Sequence, residues 1–394
     1  MSSFFSRRSL LKGAAGLAGA ATLGRVAPAF AQSAVTDKAA VLVVFLNGGF
    51  NSLFNSHDSF HGAGSFGCSP GNALDLGNGL IVDAPTYGTM PAFAKTHMSS
   101  VGIRHGLTDH GAAQEQVMSG NGRSYMLQLA RSIGGDAAIK AAIVGGGGPA
   151  GPRPAEGDVN LQGITDMRAT IAALGGDIDP TVPNREIATN SLLGSTTMSK
   201  KRLIRSPKSL MSVRDGYSTG VETLRKQGLA LDYPALCSAY GVPTGTTGVT
   251  NFRTQMMAAD LMIQAGANVV FAEDGGWDTH GDTNGNTVRG MMNDRILPPL
   301  NTFMNRNLET TGRNVIVAIV GDFARSLPGS DHQGNLTATV IGKNVRVGTT
   351  GKVSSNVGLP SGTPSNREFW AYLASLCRVP DAPFGPNPHT AITL

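Results

Sequence analysis

Two apolar runs narrow the architectures open to this chain. Asn268-Val269-Val270-Phe271-Ala272 and Asn314-Val315-Ile316-Val317-Ala318-Ile319-Val320 read as buried strands. A helical stretch, 288–308, lies between them and is interrupted near Pro298-Pro299. Strand, helix, strand in that order is a parallel crossover unit, which brings both strand ends to one edge of the sheet. The first run leads into Gly275-Gly276-Trp277-Asp278-Thr279-His280 and the second into Gly321-Asp322. Asp278, His280 and Asp322 should therefore meet in one crevice, where open α/β sheets place their ligands. A third run, Val41 to Leu46, opens the domain and ends in the glycine-rich Asn47-Gly48-Gly49-Phe50-Asn51-Ser52, a further wall of that crevice.

The other segments fit an α/β reading. Residues 32–40 read as a linker, Leu80-Ile81-Val82 as part of a short hairpin, and Met90 to Lys95 as a helix. Ser100 to Ile103 and Ala141 to Val144 read as strands, 112–119 as a helix. Phe252 to Ala265 is a helix whose Met256, Met257, Leu261 and Met262 form its apolar side, core filler by their chemistry. Thr337 to Ile341 and Val345 to Val347 alternate around Gly342-Lys343-Asn344 as a hairpin would. Glu368 to Leu376 closes the fold, and an irregular tail follows from Pro380. Gly145-Gly146-Gly147-Gly148 follows a strand, but Pro149, Gly151, Pro152 and Pro154 prevent the helix a phosphate loop needs. Residues 195–235 carry Lys200, Lys201, Arg202, Arg205, Lys208 and Arg214, with a helical pattern from about Ser209 to Leu229, either an anion-attracting lid or a solvated surface helix.

With 394 residues, 41% hydrophobic and 15% charged, the chain is too apolar for disorder. Its formal charge of +5 owes most to the first 31 residues, where Arg7, Arg8, Lys12 and Arg25 meet no acid. The remainder has 28 basic groups against 27 acidic ones, which gives no electrostatic case for nucleic acid. Ser6-Arg7-Arg8-Ser9-Leu10-Leu11-Lys12, an apolar stretch to Leu23 and Ala29-Phe30-Ala31 read as a twin-arginine signal peptide cleaved before Gln32. That apolar stretch is too short to span a bilayer, and no stable transmembrane anchor is expected. The expectation is export by the twin-arginine machinery to the periplasm or beyond. Cys68, Cys237 and Cys377 match no zinc motif and read as buried small hydrophobes, with one disulfide open to them in an oxidising compartment.

Several side chains could carry chemistry. Asp278 and His280, two apart in a loop, can bind one divalent ion or pair to stabilise the loop. Carboxylate oxygen with imidazole suits zinc, manganese or iron, with zinc or manganese expected first. Asp322 with Arg325 reads as a metal ligand beside a guanidinium fork for phosphate or sulfate, or as an ion pair closing the loop. Asp331-His332 either reaches back as ligand or proton donor or lies at the surface. His105, Asp109 and His110 follow another strand, and either histidine can serve as ligand or base. Ser52 is the best-placed nucleophile, although no G-x-S-x-G elbow is present. His57, His61 and His389 sit in loops and read as surface residues.

Taken together, Val43-Val44-Phe45-Leu46-Asn47-Gly48-Gly49, the His110 loop, Gly276-Trp277-Asp278-Thr279-His280, Gly321-Asp322-Phe323-Ala324-Arg325 and Asp331-His332 resemble the exported bacterial family named domain of unknown function 1501. That family is placed in the alkaline phosphatase and sulfatase superfamily. The resemblance implies one domain over 32–394, a three-layer α/β/α sandwich with a mainly parallel central sheet. The implied activity is metal-dependent hydrolysis of phosphate or sulfate esters, on a small anionic ester or polymer substrate. Asp278, His280, Asp322 and His332 would be ligands, with Arg325, His110 and Ser52 in catalysis. Two departures stand out: Asp322-Phe323-Ala324-Arg325 replaces the usual Glu-Phe-Gly-Arg, and Asn51 stands near a customary Asp. The alternative is a non-catalytic exported binding or surface-assembly protein that retains the fold.

Overall fold

Alternate residues of the first strand, β1 (Lys38–Leu46), serve two different cores. Leu42, Val44 and Leu46 join one apolar cluster, while Val41, Val43 and Phe45 join the other. A strand covered on both faces must be apolar throughout, which is what its continuous hydrophobic run encodes. The computed structural model describes residues 37–50, 55, 68–174, 232–325, 330–352 and 358–394.

After β1 come a hairpin of β2 (Ala73–Gly77) and β3 (Leu80–Asp83), then α1 (Ala92–Thr96), β4 (Met98–Arg104) and α2 (His110–Met118). Two-residue strands β5 (Ser119–Gly120) and β6 (Arg123–Ser124) lead to α3 (Tyr125–Ile133), β7 (Ala141–Val144), β8 (Leu161–Ile164) and α4 (Met167–Ala173). The second half begins with α5 (Tyr233–Tyr240), α6 (Phe252–Gln264), β9 (Val269–Asp274), α7 (Asn286–Met291) and α8 (Leu297–Asn307). It ends with β10 (Arg313–Gly321), the ribbon β11 (Ala324–Arg325) and β12 (His332–Gln333), β13 (Asn335–Ile341), β14 (Gly348–Thr349) and α9 (Asn366–Leu376).

Eight strands form one sheet in the order β14-β4-β13-β10-β1-β9-β7-β8. All neighbours are parallel except β13, which runs antiparallel to β10 and β4. Met256, Met257, Leu261 and Met262 of α6 and Leu300 and Phe303 of α8 cover one face. Leu127 and Leu129 of α3 and Trp370 and Leu373 of α9 cover the other. The protein is thus mixed α/β with helices on both sides of a mostly parallel sheet. Leu46 lies opposite both Gly321 and Asp274, and Arg104 opposite Asn335. The ends of β1, β4, β9 and β10 and the start of β13 therefore share one edge.

Local chemistry sets most boundaries. Asp109 caps α2 by accepting from the Ala112 amide at 2.9 Å, so the helix begins at His110, ahead of 112. Between α7 and α8 a π turn, Met292–Ile296, precedes Pro298-Pro299. A proline lacking its amide hydrogen and crowding the preceding turn is accommodated by that wider winding.

Some expectations need correcting. Lys38 already belongs to β1, so the linker is shorter than 32–40. Val345–Val347 does not return along β13 as a hairpin: Val345 bridges Thr393, and Gly348-Thr349 instead extends the sheet parallel to β4. His389 is 1% exposed and bonded to Thr350 Oγ1, not a surface residue. The three cysteines are buried, as their reading as small hydrophobes expects, and form no disulfide with one another. The signal segment 1–31, Asn51, Ser52, His57, His61 and nearly all of the 195–235 insertion lie outside the described residues. Among the described residues no helix is long and apolar enough to cross a membrane.

Candidate metal centre

The site is assembled by two loops pressed together at the end of the sheet. Asn47 donates its amide to Asp274 O at 2.9 Å and accepts the Trp277 amide at 3.0 Å. At this crossing Gly48 has a φ of 120°, and a β-carbon there would lie 2.3 Å from the Asp278 nitrogen. Only glycine permits that approach. Trp277 is fully buried, with its indole N–H donating to Asp274 Oδ2 at 2.9 Å and its ring edge-on to Phe50. Arg295 also bonds Asp274 Oδ2 and, at 2.8 Å, Gly275 O. With Trp277 anchored inside, the next residue, Asp278, projects out of the sheet edge, its side chain about half exposed.

Three imidazoles converge around the Asp278 carboxylate. Its Oδ1 lies 3.2 Å from His280 Nε2, 3.4 Å from His332 Nε2 and 3.5 Å from His110 Nε2. His280 Nε2 and His332 Nε2 are 3.0 Å apart. His110, Asp278 and His332 can each offer a ligand atom within 4.8 Å of the others, as can His280, Asp331 and His332. Tetrahedral bonds of about 2.0–2.1 Å place neighbouring ligand atoms roughly 3.3 Å apart, close to these separations.

The far nitrogens fix the tautomers. His110 Nδ1 sits 2.5 Å from Asp322 Oδ2, and His332 Nδ1 lies 2.7 Å from Thr108 O. A carbonyl only accepts, and so does an ionised carboxylate, so both Nδ1 atoms carry the hydrogen and both Nε2 lone pairs face the cluster. His110 Nε2 is buried and has no hydrogen-bond partner. An unsatisfied imidazole lone pair aimed at a carboxylate and two further imidazoles is what a divalent cation requires, and the residues fit one. Phe323, fully buried, packs against the His110 and His332 rings at centroid distances of 4.7 and 4.3 Å and sets their tilt.

Asp322 and Arg325 lie beneath the cluster and do not line it. Asp322 is fully buried, with Oδ1 accepting from the Gly48 amide at 3.2 Å and Oδ2 taken by His110. Its carboxylate orients a ligand and has no free oxygen to be one. Arg325 is also fully buried: Nη1 donates to Ser330 O at 2.8 Å, and Nη2 to Gly48 O and, at 2.5 Å, to Asp278 Oδ1. Both Nη atoms are engaged inside the protein and Nε, without a hydrogen-bond partner among the described residues, is buried, so the guanidinium positions Asp278 and presents no exposed face to a substrate anion. Burial opposes ionisation of Asp278, but the Arg325 hydrogen bond and charge outweigh it and hold the carboxyl below its usual range.

The remaining candidates divide. Asp331 is largely exposed, accepts from the His332 amide at 2.8 Å and lies 3.8 Å from His280 Nδ1. His105 takes the Leu107 amide on Nδ1 at 3.1 Å, and burial lowers its pKa despite Asp322 nearby; it belongs to neither ligand group. Asp109 serves as the α2 cap. A chain of amides beside the centre escaped sequence reading. Gln114 Nε2 donates to Asn47 Oδ1 at 2.6 Å, and Asn47 Nδ2 to Glu273 Oε1 at 2.6 Å. Glu273 Oε2 accepts from the Gly148 amide at 3.0 Å. The available signal was Gln114 four residues after His110, a spacing that shares one helix face.

Comparison of the chain with protein-family models, with curated proteins and with solved structures finds no match.

Proposed function

We propose that this chain is an exported, divalent-metal-dependent hydrolase of phosphate or sulfate esters, a member of the domain of unknown function 1501 family with an alkaline-phosphatase-like sandwich. The observation that carries the reading is the closed triangle of Asp278 Oδ1, His280 Nε2 and His332 Nε2, with edges of 3.2, 3.4 and 3.0 Å and His110 Nε2 beside it. In this reading those four residues hold the ion, zinc or manganese, which when bound supplies Lewis-acid polarisation of an ester oxygen. Asp322 and Thr108 aim His110 and His332, and Arg325 keeps the Asp278 carboxylate ionised and turned toward them. A mostly parallel sheet with its polar loops at one edge supports the superfamily assignment, as does the motif set. The N-terminal twin-arginine pattern supports export to the periplasm or beyond.

Elemental analysis of the purified mature protein tests this, together with turnover of a generic aryl phosphate and aryl sulfate. Stoichiometric metal, its loss in Asp278→Ala, and metal-dependent turnover are the expected results. A chain that binds no divalent ion refutes the hydrolase reading. Metal without turnover leaves the binding or surface-assembly protein. That second reading draws on the full burial of Arg325, which leaves the centre without an exposed guanidinium from that residue.

A further inference from the structure

Beside His280 lies an open cavity of about 430 Å³, lined by Thr279, His280, Thr283, Asn284, Asn286 and Thr287 among others. Its size falls within the span of small-molecule sites, about 300–1,000 Å³, yet such sites are mostly apolar. Here no aliphatic side chain and no Phe, Tyr or Trp lines the wall. An aryl or acyl group would gain nothing from burial against it.

Charge narrows the ligand further. No Lys or Arg lines the cavity, whereas Asp282 is part of its wall and Asp331 flanks His280 at 3.8 Å. An anionic group would be repelled there. What the wall offers is donors and acceptors in close alternation. Thr283, Asn284, Asn286 and Thr287 are all exposed. Their hydroxyl and side-chain amide donors make no bond among the described residues, although Asn284 Oδ1 accepts the Asn286 backbone amide at 3.1 Å, and the loop that carries them is fixed by such contacts of its own. The Thr283 amide donates to Gly281 O at 2.9 Å, Val288 N to Asp282 Oδ2 at 3.1 Å, and Arg289 Nη1 to Asn284 O at 3.2 Å. A hydroxyl both donates and accepts, so vicinal hydroxyls match a wall of threonine hydroxyls and asparagine amides.

We propose that this cavity seats a neutral, polyhydroxylated group, a sugar ring or comparable polyol, as the alcohol portion of the ester presented to the metal centre. The role as ester alcohol rests on the hydrolase reading, while the sugar seat itself rests on the cavity. The ligand's hydroxyls would bond Asn284, Asn286 and the threonines, holding the ester oxygen toward His280.

The test uses metal-stripped mature protein and three probes: methyl α-glucoside, methyl β-galactoside and methyl α-mannoside. Saturation-transfer NMR should detect binding of at least one of them. The Asn284→Ala/Asn286→Ala double variant should bind it about ten-fold more weakly, the effect of losing one or two net hydrogen bonds. Absence of binding by all three glycosides, or equal binding by the variant, overturns the proposal. Elemental analysis of metal-reloaded samples from the same preparations separates the two readings. Metal uptake without glycoside binding overturns the sugar seat alone. Glycoside binding by a chain that takes up no metal supports the seat and removes the hydrolase.

Discussion

Replacing Gly48 by alanine tests whether the two loops must touch for the centre to exist. The new β-carbon would lie 2.3 Å from Asp278 N and 2.6 Å from the Trp277 carbonyl carbon, both backbone atoms that no rotamer change can move. The φ of 120° adds about 1–3 kcal/mol for any residue with a side chain. Relieving the overlap means parting the loops, which breaks the Trp277 N–H to Asn47 O bond of 3.0 Å, worth about 1 kcal/mol and more if the groups stay buried. The expected loss is about 3–5 kcal/mol, a large part of a typical domain stability of about 5–15 kcal/mol. Gly276→Ala is the control in the same loop: its φ is 86°, but nothing lies within 4 Å of the added carbon, so only about 1–2 kcal/mol should go. Urea unfolding of both variants measures the difference, and bound metal in the folded protein reports the displacement of Asp278. Equal destabilisation of the two would refute the close-approach argument.

Asp322→Asn should leave the fold intact and lower affinity for zinc or manganese about 10–100-fold, the usual effect of removing a carboxylate that orients a ligating histidine. Competition against a fluorescent chelator measures it, and unchanged affinity would remove His110 from the ligand set. Burial pushes the His389 imidazole down to about 4, with Glu368 in partial opposition, against about 6.5 when unfolded. The unfolded chain then binds more protons between those values, so stability present above pH 6.5 is lost as pH falls toward 4, by on the order of 3 kcal/mol. In His389→Gln that component should vanish, and identical pH dependence of urea midpoints in the two proteins would contradict it.

The central strands and the edge at which they end were open to sequence reading because burial on both faces leaves a mark that few other structures leave. Val41 to Leu46 and Val315 to Val320 are apolar at every position, and each occupies a central strand. The short α3 was missed for a different reason. Its Gln128, Arg131 and Ser132 do mark a polar face at helical spacing, but over only nine residues that period is brief and is easily passed over. The false hairpin after β13 arose from alternation alone, which gives a strand its faces but not its partner. Which strand accepts Gly348 is decided by distant packing against β4.

Whether Asp322 ligates or supports is a question of depth. Asp322 is the first residue beyond β10, and a side chain leaving a sheet at that point is still among the helices. There a carboxylate must be fully hydrogen-bonded, and Gly48 N and His110 Nδ1 occupy it. Asp278 and His280 stand four and six residues beyond β9, His110 six beyond β4, and His332 three before β13. These tips are long enough to rise above the sheet edge, where a side chain can keep an open lone pair. Arg325 lies four residues beyond β10, as Asp278 does beyond β9, but β11 turns it back beneath the rim, so its guanidinium neutralises Asp278 from below. In this fold burial at the rim, not residue count, divides the groups that could ligate from those that support them. Residue type and convergence on one edge, the two features read from sequence, carry no information about that burial.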